Sequence, residues 1–457
     1  MVEPRDVVII GGGFAGLSAA AALAERGFRV AVLEGKPALG GRAYSFADPD
    51  SGDAVDNGQH VMMGCYAETL KFLDRIGSRG HLVFHPDLEI EMIERDGRRG
   101  VLRTARLPGP LHMSAALMRY ELLTRGERMS AMVAGLRLLR MLRYDRAQLG
   151  AATVGAAMDV LKQSEQARRC FWYPLAIATL NDEPERASAA LLAEVLKRAF
   201  FGRRSDSAFV YARVGLSELY CAAAARLVEY GGGVIATRAI VEGLEFDADG
   251  AVAGVRLRDG QRLNAANFIA AVPPGQLVRL LPEGAGADPF FAHLGEIGSS
   301  PIICVHAWFD REITGAAFAG FVGTATQWMF NKRRIFAGRG ERAPGYLSFV
   351  ISGARRLVEQ SNEELLDVII GDLHAMIPAA RQARVVKALV LKEKQATMAP
   401  SPAYDRLRPG VSTPVRNLFL AGDWIQTRLP ATIESAVASG HAAAAAVAAR
   451  VAGAASD

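Results

Sequence analysis

The segment Gly11-Gly12-Gly13-Phe14-Ala15-Gly16 constrains this chain more than any other stretch. It follows the apolar run Val7-Val8-Ile9-Ile10. A helical pattern then runs to about Arg26, with Leu17, Ala20, Ala21 and Ala24 on one face and Gly27 as its stop. Phe28 to Leu33 reads as a second strand, with Glu34 at its end. Glycines at 11, 13 and 16 meet the G-x-G-x-x-G spacing in the strand–helix–strand setting that gives it meaning. Gly11 permits a tight turn, Gly13 lets the backbone approach a pyrophosphate, and Gly16 lets helix and strand pack closely. The free N–H groups of the helix start, around Phe14 and Ala15, and its positive dipole end suit phosphate. Glu34 suits two ribose hydroxyls and repels a 2′-phosphate. The motif predicts a bound dinucleotide, without choosing between a nicotinamide and a flavin one.

At 457 residues the chain exceeds one ordinary core, and half of it is apolar, so two or three globular domains are expected. A net charge of +5 is mild for this length, and neither zinc-finger spacing nor an aromatic-plus-basic pattern points to nucleic acid. Cys65, Cys170, Cys221 and Cys304 are scattered, which argues against a disulfide framework or a metal site and fits a reducing compartment. The opening residues lack the pattern of a signal peptide, and no run of about 18 apolar residues predicts a membrane span.

Two further elements extend the first motif. Leu39-Gly40-Gly41-Arg42-Ala43 offers a second close backbone approach, with Arg42 able to meet phosphate or flavin oxygens. Asp56-Asn57-Gly58-Gln59-His60 follows; both it and the paired glycines also suit ordinary turns. Near the C-terminus, Asn417 to Leu420 reads as a strand leading to Gly422-Asp423. Leu429-Pro430-Ala431-Thr432-Ile433-Glu434 then opens an alanine-rich helix toward Arg450, with Thr432 as its N-cap. Asp423 suits a ribitol hydroxyl, and a helix start at Thr432, Ile433 and Glu434 would stabilise negative charge on a reduced flavin.

With these motifs at both ends, the chain resembles the flavin amine-oxidase and phytoene-desaturase superfamily along its whole length. Asp56 to Tyr66, and Phe171-Trp172-Tyr173-Pro174-Leu175 with Leu180-Asn181, are similar to the squalene-associated FAD-dependent desaturases, understood as hydroxysqualene dehydroxylases of hopanoid biosynthesis. The resemblance implies FAD as cofactor. It also implies an α/β plus α+β architecture: a discontinuous Rossmann-like FAD-binding domain with an inserted substrate-binding domain. The expected FAD-binding pieces are 1–79, 211–286 and 405–457, and the substrate pieces 80–210, largely helical, and 287–404. Backbone near Ile240 or Val241 is expected at the adenine, and Gly58, Gln59 and His60 at the isoalloxazine.

The implied substrate is a C30 isoprenoid, almost without polar surface. At about 0.8 kcal/mol per buried CH₂ its transfer from water exceeds any realistic binding energy, so such a lipid has to be drawn from a bilayer. This favours a cytoplasmic protein held peripherally on the inner face of a bacterial membrane, alongside upstream squalene-pathway synthases as possible partners. From Leu111 to Leu149, Met132, Leu138, Leu139, Met141 and Leu142 offer apolar surface, with Arg137, Arg140, Arg143 and Arg146 on the other arc. A basic amphipathic helix of this kind either lies in a membrane interface or packs on its own domain.

For reductive dehydroxylation, His60 is the candidate general acid, or else bonds flavin or backbone; Asp182 is the weaker alternative. Phe171, Trp172 and Tyr173 are candidates to line the substrate tunnel and face a cationic carbon through their rings, or to be plain core. The rivals are an oxidative carotenoid or squalene desaturase, an amine oxidase, and a non-catalytic flavoprotein.

Overall fold

The computed structural model describes residues 5–85, 87–284, 288–336 and 343–454. The strand Arg5–Ile10 is flanked in parallel by Val30–Leu33 on one side and by Arg262–Ala270 on the other. Val234–Ala236 extends the sheet beyond Val30–Leu33, and Leu418–Leu420 pairs in parallel with the end of Arg262–Ala270. One parallel sheet thus gathers strands from the start, middle and end of the chain. The antiparallel strands Val241–Phe246 and Val252–Leu257 complete it. Parallel strands covered on both faces read as continuous apolar runs, as Val7 to Ile10 and Val30 to Leu33 do. The Phe14–Ala24 helix is wholly buried, with the C-terminal Ile433–Ala454 helix packed against it. That crowding explains its alanines and its weak amphipathic pattern.

A second sheet runs in the order Val385–Met398, Ser299–Phe309, Gly345–Ser352, Trp328–Asn331, Phe318–Val322, Glu89–Glu94 and Arg99–Arg103. Its faces follow the two-residue period of a strand. Ile303, Val305, Ala307 and Phe309, with Leu347, Phe349 and Ile351, pack against the Asn362–Met376 helix. Ser361 and Glu364 open that helix with a capping box. The alternate residues of the same strands turn toward residues 53–59. A helical layer from Leu111 to Phe200 buries Leu138, Leu142, Leu149 and Trp172 in its own core.

Three expected domain boundaries fall inside structural elements. These are the turn Arg79–His81, the strand Phe209–Ala212 and the helix Pro402–Leu407. Phe209–Ala212 pairs with both Met62–Met63 and Leu82–His85, so chain on either side of the expected 210/211 division belongs to one small sheet. The expected division at 286/287 lies outside the described residues.

Candidate functional site

A cavity of about 880 Å³ extends from the parallel sheet, past the second sheet, into the helical layer. Its sheet side carries the glycine motif. Gly11 has φ +111°, and a Cβ there would sit 2.4 Å from the carbonyl oxygen of Ala271. A Cβ on Gly16 would sit 1.9 Å from the carbonyl oxygen of Gly11. Gly16 therefore serves helix–strand packing, and it lies behind the lining made by Gly11, Gly13, Phe14 and Ala15. The Phe14–Ala24 helix begins at Gly13 with no side-chain cap and no acid in its first turn, which keeps its positive end available to an anion. Buried Glu34 accepts from the N–H groups of Gly12 and Lys36, each at 2.8 Å. Ile240 and Val241 line the cavity near it, with Ile240 against Gly35. These features fit a nucleotide: the acid is pinned by its own backbone, and only glycine fits the turn.

The N- and C-terminal segments meet at Arg42. Its guanidinium donates to Asp423 at 2.5 Å and to the carbonyl of Ala396 at 3.1 Å. Burial opposes the Arg42 charge, but Asp423 outweighs it and holds the guanidinium pKa above its ordinary value. Arg42, expected at phosphate or flavin oxygens, and Asp423, expected at a ribitol hydroxyl, thus also engage each other. Gly40, Gly41, Gly422, Thr432 and Ile433 also line the cavity. Thr432 accepts from the Ser435 N–H, as an N-cap does. Glu434 lines the cavity as well, yet both its oxygens are committed elsewhere. They accept from the N–H groups of Glu68 and Thr69 and from the Thr69 hydroxyl, capping the Ala67–Arg75 helix. Burial raises the Glu434 pKa above the usual carboxylate range.

Gly58, Gln59 and His60 also line the cavity. The His60 Nδ1–H donates to the Gly58 carbonyl at 2.7 Å. Burial holds the imidazole below its usual range, against the opposing pull of Asp56. In the neutral ring that donates from Nδ1, Nε2 is an acceptor; the expected general acid needs the imidazolium, in which Nε2 carries a proton. Asp182 is corrected outright. It is buried outside the lining and held by Arg355 through two hydrogen bonds of 3.2 and 2.8 Å. Its neighbour Asn181 does line the cavity, and its side chain ties the Gly353 N–H to Thr397.

The aromatic run divides by helical geometry. Phe171 lines the cavity, together with Pro174, Leu175 and Ala178 further along the same face. Trp172 points the other way into the helical core, where its indole N–H donates to Gln163 at 2.9 Å. Tyr173 is likewise absent from the lining. The expected three-residue aromatic wall is therefore one residue deep. Ile302, Trp328, Phe330 and Val350 add apolar wall from the second sheet, as do Ile90, Met92 and Leu102.

Beneath residues 53–59 lies a buried polar cluster that sequence reasoning missed. The Lys332 Nζ donates to Asp56 at 3.0 Å and to the Gln59 Oε1 at 2.8 Å, and stands 3.9 Å above the Phe336 ring. Lys332 is 0 % exposed and Asp56 3 %. The His306 Nε2–H donates to the Asp56 carbonyl, and the Tyr346 hydroxyl donates to Nδ1. Burial, and then the Lys332 charge, push the His306 pKa down to about 3. Trp308 and Arg333 both bond Asp53. The even-numbered face of Ser299–Phe309 thus clamps the 53–59 segment from below. Lys332 opens the basic Lys332–Ile335 turn of helix, and nothing in that run marks it as the buried member.

The model for the family of flavin containing amine oxidoreductases matches residues 14–448. Hydroxysqualene dehydroxylase of Rhodopseudomonas palustris is 29% identical over 96% of this chain and 97% of its own length. The 15-cis-phytoene desaturase of Solanum lycopersicum is 25% identical over 96% of this chain and 76% of its own. Among solved structures, an oxidoreductase from Methanosarcina mazei has a TM-score of 0.76 at 16% identity, covering 96% of this chain and 99% of that one. Cyclohexylamine oxidase from Brevibacterium oxydans has a TM-score of 0.74 at 18% identity, covering 98% and 99%. The glycine turn, the buried acid and the joined terminal segments, together with this match, make the chain a member of the flavin containing amine oxidoreductase family and an FAD-dependent oxidoreductase.

Proposed function

We propose that this enzyme converts hydroxysqualene to squalene with reduced FAD. The observation that carries the reading is a nucleotide-binding turn continuous with an apolar cavity, in a chain that aligns end to end with hydroxysqualene dehydroxylases. FAD, when bound, supplies two-electron hydride exchange with carbon; run reductively, an allylic alcohol and FADH₂ give the hydrocarbon, water and FAD. The protein's part is to hold the chain of the isoprenoid against Phe171, Leu175, Ile302 and Phe330, to keep water away, and to present the polar groups of Gln59 and His60 at the floor. A long hydrocarbon gives apolar walls nothing but length and shape to grip, so the polar floor fixes which carbon reacts.

Anaerobic incubation of the dithionite-reduced holoenzyme with hydroxysqualene, followed by mass spectrometry, tests this: squalene is the expected product. A more unsaturated product under oxidising conditions, with the alcohol untouched under reducing ones, would support an oxidative desaturase instead. That second reading draws on the similarity to 15-cis-phytoene desaturases.

The enzyme takes this substrate from a membrane surface. Among the described residues no helix is long and apolar enough to cross a membrane. On the Arg125–Tyr144 helix, Leu138 and Leu142 face the protein core, while Met129, Val133 and Leu136 stand exposed. These three occupy one helical stripe, beside the exposed Arg137, Arg140 and Arg143. The apolar stripe is thus made of different residues from those the sequence pattern suggests. Binding to anionic liposomes is expected to weaken with salt and to fall when Met129, Val133 and Leu136 are changed to Ser. Unchanged sedimentation with liposomes would exclude this helix as the contact.

A further inference from the structure

We infer that Gln59 and His60 form a matched donor–acceptor pair that recognises the hydroxyl group of the substrate, with Lys332 as the residue that fixes the polarity of Gln59. This deepens the proposed function and rests on it. Gln59 is held to one orientation. A primary amide offers an oxygen or an NH₂, and its orientation is ordinarily free to turn over. An ammonium can only donate, so the 2.8 Å contact from the Lys332 Nζ requires the Gln59 oxygen. Asp56 holds Lys332 in place at 3.0 Å, in a site from which water is excluded. The NH₂ is then the remaining polar group of Gln59, a residue that lines the cavity.

His60 is restricted in the opposite sense. The Gly58 carbonyl can only accept, so it takes the Nδ1–H at 2.7 Å and leaves Nε2 as an acceptor in the neutral ring. Burial favours that neutral ring. Two consecutive residues therefore offer the cavity one donor and one acceptor, while the nearby walls at Ile302, Trp328 and Phe330 are largely apolar. An alcohol is the complementary group: its oxygen accepts from Gln59 and its O–H donates to His60. A saturated or unsaturated hydrocarbon satisfies neither and leaves both unpaired, which a buried site penalises.

The test compares binding of hydroxysqualene and squalene to the oxidised holoenzyme in mixed micelles, read by the change in flavin absorbance. Leaving two polar groups unpaired corresponds to roughly a ten- to hundredfold preference for the alcohol in the parent. Gln59→Glu keeps the size and the Lys332 contact but removes the donor, so the preference is expected to fall at least tenfold with FAD content and squalene affinity unchanged. His60→Phe removes the acceptor and is expected to act similarly. Lys332→Met frees the Gln59 amide to turn over, and the preference falls although Gln59 itself is intact. Variants that keep the parental preference would overturn the inference while leaving the dehydroxylase reading in place. So would a Gln59→Glu effect confined to the flavin spectrum and FAD release, since the amide would then serve the cofactor. A parent enzyme that neither prefers nor consumes the alcohol would instead remove the reading on which the inference rests.

Discussion

Replacing Lys332 by Met removes the cation from a pair that is almost wholly out of water. Asp56 is 3 % exposed, and it keeps the N–H of Leu216 as a 3.1 Å donor but loses its only ammonium partner among the described residues. Breaking a buried pair from one side costs about 3 to 5 kcal/mol, because the surviving charge is left without compensation. A chain of 457 residues has an unfolding entropy of roughly 1 kcal/mol per kelvin, so the midpoint should drop by about 3 to 5 °C. Asp56→Asn should restore much of this in the double variant, because a neutral amide can still accept from Leu216 and is far cheaper to bury. The assay is thermal unfolding of parent, both single variants and the double, at one fixed excess of FAD so that ligand linkage cancels. The expected coupling is about 1 to 3 kcal/mol between the two positions. A Lys332→Met protein that melts with the parent, or single losses that simply add in the double variant, would refute the reasoning.

Glu34→Ala removes a carboxylate that accepts from the Gly12 N–H of the glycine turn and from the Lys36 N–H, so FAD retention after dilution should weaken by roughly ten- to a hundredfold. Asp423→Ala should do likewise, here by freeing Arg42 as well; unchanged flavin content after dialysis would exclude either role. The His306 pKa lies near 3 in the folded state, well below its ordinary value of about 6.5. The stability it contributes is therefore complete above about pH 6.5 and lost as pH falls toward 3, at up to about 1.4 kcal/mol per pH unit. Urea unfolding of His306→Gln across that window should show a shallower acid loss than the parent, and parallel curves would mean that His306 does not take up the proton.

The parallel sheet was legible because its determinants are local. Val7 to Ile10, the glycine turn and Glu34 lie within thirty residues, and each glycine has a backbone reason for being there. What could not be read was partnership across the chain. Asp423 lines the cavity, but its bond to Arg42, 381 residues away, has no local signal. Glu434 lines the cavity as its place at a helix start suggests, but nothing local records that its oxygens cap the Ala67–Arg75 helix. Lys332 and Asp56 are separated by 276 residues, and neither segment alone records that they meet. The aromatic run at 171–173 shows the same limit at close range. Helical rotation decides that Phe171 reaches the cavity while Trp172 serves the core, and composition is silent on rotation.

The central claim is that the carbon bearing the hydroxyl receives a hydride from the flavin. Enzyme reduced in D₂O, where the flavin N5 position carries deuterium, should convert unlabelled hydroxysqualene anaerobically into squalene with one deuterium on the former carbinol carbon. The same reaction in H₂O should give unlabelled squalene, and a carbon-bound label once formed does not wash out. Squalene formed in D₂O without that deuterium would contradict the account, as would recovery of unreacted alcohol from the fully reduced holoenzyme.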